Sequence, residues 1–157
     1  MPWHVALFHS LFVIATIYGL VRGGSPERIF ALMSLAALIL SIRVKTPYPY
    51  GFHHVEVGLF LVDLGFFFAL YVLSLFSLRF WPIWMSAMQG VTVLSHAVEF
   101  APPPTNFGYA VLEQFLSFPM LILLIVATRR HRQRLARNGT DPSWTISFAR
   151  SGPPSRR

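Results

Sequence analysis

Five stretches of the chain are apolar over lengths that suit helices crossing lipid, and each is bounded by charge, proline or glycine. A bilayer core of about 30 Å takes about 20 apolar residues in a helix. The pattern predicts spans at about 5–21, 29–42, 57–78, 82–100 and 108–128. The first has no basic region ahead of it and no small-residue cleavage site after it, so it reads as a retained helix and not a signal peptide. Trp3 is placed as its interfacial anchor and Arg22 as its stop.

The joints between these stretches are equally readable. In Gly23-Gly24-Ser25-Pro26-Glu27, Ser25 is placed to cap the second helix, Pro26 suits its first position and Glu27 complements its dipole. Only Ile29 to Ile42 is free of charge in that helix, which spans fully if Arg28, Arg43 and Lys45 snorkel outward. The alternative is four spans with this segment re-entrant or interfacial. Residues 46–54, with Pro47 and Pro49, form a loop, and Pro102 to Pro104 impose a stiff, non-helical connection. Pro119 lies within the fifth span and frees the carbonyl of Phe115, which predicts a kink. The run Arg129 to Arg137 continues that helix out of the bilayer until Asn138-Gly139 and Asp141-Pro142 break it. The chain thus divides into a transmembrane bundle, 1–128, and a basic tail, 129–157, whose Ser-, Pro- and Arg-rich end reads as flexible or ordered by a partner.

Composition supports this division. Of 157 residues, 54% are hydrophobic and 12% charged, against about a quarter charged in soluble domains. A water-soluble fold of this length cannot bury so much apolar surface. Disorder, a nucleic-acid module and an ordinary cytosolic enzyme are therefore disfavoured, and the expected class is an all-α, polytopic transmembrane helical protein. The net charge of +7 does not mark a nucleic-acid face, because eight of the thirteen Lys and Arg lie after residue 128. With no cysteine there is no disulfide framework, thiolate metal site or cysteine nucleophile. The positive-inside rule places the C-terminal tail in the cytoplasm with Arg22, Arg28 and Arg79, and the N-terminus outside with Arg43 and Lys45. The general appearance is that of a small multi-pass protein of a bacterial inner membrane.

The acids matter more than the bases. Four of the six acidic residues, Glu56, Asp63, Glu99 and Glu113, fall inside or at the edge of apolar segments. Polar groups in a bilayer are costly and need partners, which makes them default site candidates. Gln89, Thr92, His96 and Glu99 recur at spacings of three and four, one arc of a helix. With the tail inside, His9, Asp63, Gln89, His96, Glu99 and Glu113 fall in the outer leaflet and are expected to converge on one polar pocket. Asp63 and His96 also suit a simple buried pair. Imidazole and carboxylate together suit zinc, iron or manganese, so His9, His54, Glu56, His96 and Glu99 form a weaker metal or haem set, with haem between His9 and His96. The helical di-iron signature is a repeated Glu-x-x-His, and His96-Ala-Val-Glu99 is a single reversed copy.

Catalytic motifs are lacking: no His-Glu-x-x-His, no Gly-x-Ser-x-Gly and no phosphate-cradling glycine loop. No cofactor is favoured. Arg129, Arg130, Arg132, Arg134 and Arg137 fix topology and suit anionic headgroups or an acidic subunit. Trp144, Ile146 and Phe148 alternate like an extended strip that adds to a partner or lies on the membrane. The leading expectation is a non-enzymatic accessory or assembly subunit of a larger membrane complex, partnered by lipids and other subunits. The alternative is a small transporter or a metal- or haem-binding protein built on the polar pocket.

Overall fold

The computed structural model describes residues 3–44, 57–98 and 106–145, except the side chains of residues 4, 97, 98 and 106–115. Five helices account for nearly all of them: α1 Trp3–Arg22, α2 Ser25–Val44, α3 Val57–Phe76, α4 Trp81–Val98 and α5 Asn106–Asn138. Their arrangement is a closed ring. Each helix packs on its neighbours in sequence, α5 returns to α1, and only a slight contact between α2 and α5 crosses the middle. Two of the five, over Val5–Arg22 and Val57–Phe76, are long and apolar enough to cross a membrane.

The second helix is as long as the first, 20 residues, although its charge-free stretch is shorter. Its start differs by one residue from the expected cap. Arg28 N–H donates to the carbonyl of Gly24 at 3.0 Å, so Gly24 accepts the first helical bond and Ser25 is already helical. The connection has no room for a side chain at Gly23 and is tight at Gly24. A Cβ on Gly23 would lie 2.6 Å from that of Glu27, and one on Gly24 would lie 3.0 Å from the His131 ring. Pro26 follows in the first turn, where its missing N–H costs nothing.

The third helix ends at Phe76, two residues short of the expected Leu78, because residues 77–78 leave it to pair with the chain beyond α5. The fifth helix runs 33 residues through Pro119. At about 1.5 Å per residue it is about 50 Å long, well beyond a bilayer core. Gly139, at φ 71°, ends it, with its N–H on the carbonyl of Leu135 at 3.0 Å.

The interior is unusual in composition. Among the described residues, eleven hydrophobic side chains are buried, led by Phe30, Leu70, Met85 and Leu124, and eleven polar or charged residues are buried beside them. Among the same residues twenty-nine large hydrophobic side chains are exposed, on all five helices and in the turn between α3 and α4.

Candidate functional site

Two polar clusters occupy the ring, one between α3 and α4 and one at the end where the basic residues gather. The first grows from the arc on α4. Spacings of three and four place Ser86, Gln89, Thr92, Ser95 and His96 inward, and all five are buried. Ser95 closes its hydroxyl on the Thr92 carbonyl at 2.7 Å, which leaves Gln89 and His96 to reach α3. His96 Nε2 lies 2.9 Å from Asp63 Oδ2, and Gln89 Nε2 donates to Asp63 Oδ1 at 3.0 Å. With the carboxylate as acceptor, His96 Nε2 is the donor of that contact. Phe60 stands edge-on to the imidazole, centroids 5.8 Å apart. The Asp63 side chain keeps 21% of its exposure against 3% for His96, so the carboxylate is the side of the pair nearer the surface.

The expected convergence is thus met by three residues, Asp63, Gln89 and His96. His9 stands apart. It lies on an exposed face of α1, its Nδ1 2.7 Å from the carbonyl of Val5 and its ring edge-on to Phe8. Among the described residues α1 has no contact with α3 or α4, so His9 is not packed with the Asp63, Gln89 and His96 group. His54, Glu56 and Glu99 lie outside the described residues, as does the side chain of Glu113 on α5. Among the described residues no three His, Asp or Glu form a group fit for a metal ion.

The second cluster was not anticipated as a site. Arg79, at the turn between α3 and α4, is buried and places Nη1 2.5 Å from Asp141 Oδ2. His131 Nδ1 meets the same oxygen at 2.7 Å, and Arg134 Nε spans both carboxylate oxygens at 3.1 and 3.2 Å. Arg79 Nη2 also lies 3.1 Å from His131 Nδ1; a guanidinium only donates and an ionised carboxylate only accepts, so Nδ1 can satisfy one of its two neighbours at a time. Burial alone would raise the Asp141 pKa. Hydrogen bonds from Arg79, His131 and Arg134, with the Arg79 charge, outweigh burial and hold it below its ordinary value.

Backbone pairing extends this clasp. Leu78 N–H donates to Ser143 O at 3.0 Å and Thr145 N–H to Phe76 O at 2.9 Å, forming an antiparallel bridge between Ser77 and Trp144. Trp144 packs against the core. The extended strip expected to add to a partner is therefore used, at Trp144, within its own chain; Ile146 and Phe148 lie outside the described residues. Beside the clasp, Glu27 is fully buried and accepts from Trp81 Nε1 at 3.1 Å, linking α2 to α4. Of the expected docking arginines, Arg129, Arg130, Arg132 and Arg137 are exposed, whereas Arg134 is engaged by Asp141.

The signal for the clasp lies in scarcity. Arg79 is the only Lys or Arg between Lys45 and Arg129, and Asp141 is the only acid after Glu113. Lone charges of opposite sign, at the same predicted end of the bundle, have few other partners. Comparison with protein-family models, with curated proteins and with solved structures gave no match to this chain.

Proposed function

We propose that the chain is a five-span membrane protein with its N-terminus outside and its basic end in the cytoplasm of a bacterial inner membrane. In this reading it serves as a non-enzymatic accessory or assembly subunit of a larger membrane complex. The five-span reading is supported by the partition of side chains among the described residues: as many polar as hydrophobic ones buried, and twenty-nine large hydrophobics turned outward. In water that surface invites aggregation; in lipid it costs nothing.

The subunit reading rests on one observation, the outward stripe of α1. Leu7, Ser10, Ile14, Ile17 and Val21 recur at helical spacing and are all exposed, with His9 beside Ser10. An imidazole and a hydroxyl turned toward lipid are expensive, and a partner helix that hydrogen-bonds them recovers that cost. A photo-crosslinking residue at Leu7 or Ile14 tests this in native membranes. Discrete protein adducts are expected there, with only lipid adducts from Leu32 and Ile39 on α2. Lipid adducts alone at both faces would contradict the subunit reading.

The Asp63–His96 pair favours a second reading, a small transporter or a metal- or haem-binding protein. A titratable pair enclosed by helices is the equipment such proteins use. Protein purified in mild detergent separates the two: a Soret band or stoichiometric metal selects the second.

A further inference from the structure

A groove of about 450 Å³ opens at the basic end between the start of α4 and the second half of α5. On α5 it is lined by Leu123, Val126, Ala127, Arg130 and Arg134, spaced so that one stripe of the helix turns from apolar to basic. Trp84, 55% exposed, forms the opposing wall on α4. The wall changes character at Thr128–Arg129, where the sequence leaves its apolar segment.

We propose that this groove binds one anionic phospholipid, its phosphate on Arg130 and Arg134 and an acyl chain along Trp84, Leu123 and Val126. The proposal rests on the five-span reading, which sets this boundary at the cytoplasmic surface. Charge decides the occupant. Three arginines, Arg79, Arg130 and Arg134, line the groove against a single carboxylate, Asp141. That carboxylate is already engaged by Arg79, Arg134 and His131. Arg130 is exposed and makes no ion pair among the described residues, so its guanidinium is available for a phosphate. A zwitterionic headgroup would bring its own cation against the arginines. A soluble anion would leave the apolar half unfilled.

The test uses the full chain. Flotation with carbonate-washed vesicles of phosphatidylcholine alone, or with phosphatidylglycerol added, first establishes insertion. Failure to float with either overturns both the five-span reading and this site. Native mass spectrometry from mixed micelles then reads the bound lipid. The wild type is expected to retain one phosphatidylglycerol in preference to phosphatidylcholine. Arg130→Gln is expected to lower that preference about fivefold, the value of one basic residue at a lipid surface, and Trp84→Ala to lower retention of both lipids. Arg132→Gln, an exposed arginine outside the groove, is expected to change it little. Equal loss in the Arg130 and Arg132 variants would reduce the effect to diffuse charge and overturn the site. Floating protein without lipid preference, or displacement of the lipid by hexaglutamate, would do the same.

Discussion

The clasp at the basic end and the pair between α3 and α4 are built from similar groups: a carboxylate, a histidine and a further donor. They differ in whether the cation can discharge. Arg79 stays charged at any pH a protein meets, so the clasp needs its counter-charge permanently, and Asp141 supplies it with Arg134 and His131 gathered round. An imidazole, unlike a guanidinium, can donate as a neutral ring, so His96 can hold Asp63 through Nε2 without a permanent charge. One cluster is a fixed fastening between distant parts of the chain, the other a titratable link between two adjacent helices. The Arg79–Asp141 pair of the fastening is buried on both sides, whereas the Asp63 carboxylate of the link keeps part of its exposure.

Substitutions should separate the two, and the largest effect belongs to the clasp. Asp141→Ala leaves a buried guanidinium without its counter-ion, a loss of about 3–5 kcal/mol that the protein limits by releasing residues 139–145. Rapid proteolysis after Arg134 or Arg137, with the helices intact by circular dichroism, is the expected readout. The double variant Arg79→Met/Asp141→Leu should resist proteolysis better than the single change, because removing both charges leaves no orphan. If it is worse, the Arg79–Asp141 pair is worth more than apolar packing and its charge is not the reason Asp141 is needed.

Asp63→Leu should come next, costing about 1–3 kcal/mol for each donor orphaned on Gln89 and His96. Asp63→Asn, which keeps an acceptor, should cost less. Thermal aggregation in detergent ranks the two, and equal midpoints would mean that the carboxylate is not holding the helices. Acid offers a third comparison. The folded state holds Asp141 below its ordinary value, so the clasp contributes fully above the ordinary carboxylate range. That contribution is lost as pH falls through the lowered value, below about 4. Pepsin should therefore free the C-terminal segment only under strongly acidic conditions, and release near neutrality would reverse the assigned sign. The smallest effect is expected of Thr145→Val, which removes only the hydroxyl donor to the Phe76 carbonyl and keeps the backbone one, about 1 kcal/mol or less, seen as a modest rise in proteolysis.

Local chemistry carried most of the helix boundaries. The glycine pair at 23–24, the break at Asn138-Gly139 and the charge steps at Arg22 and Arg79 are decided within a few residues, and the helices end close to them. The α3–α4 cluster was legible for a similar reason: the arc on α4 and a lone Asp63 on the preceding helix require only that neighbouring helices pack. His9 was misjudged because spacing fixes depth along a helix but not which side faces inward, and α1 packs on α2 and α5. The clasp escaped notice because it joins residues 62 apart through a segment that reads as a loose tail. Nothing local distinguishes a tail that hangs free from one that folds back onto a turn.

The most direct measurement uses the absence of cysteine from the chain. Single cysteines at Ser25, Thr46, Thr105 and Asn138 can be labelled in intact cells with a maleimide that does not cross membranes. Thr46→Cys and Thr105→Cys should react at once, and Ser25→Cys and Asn138→Cys only after the cells are opened. Labelling of Ser25→Cys and Thr46→Cys from the same side, or of Asn138→Cys in intact cells, would contradict a five-span bundle with its basic end inside.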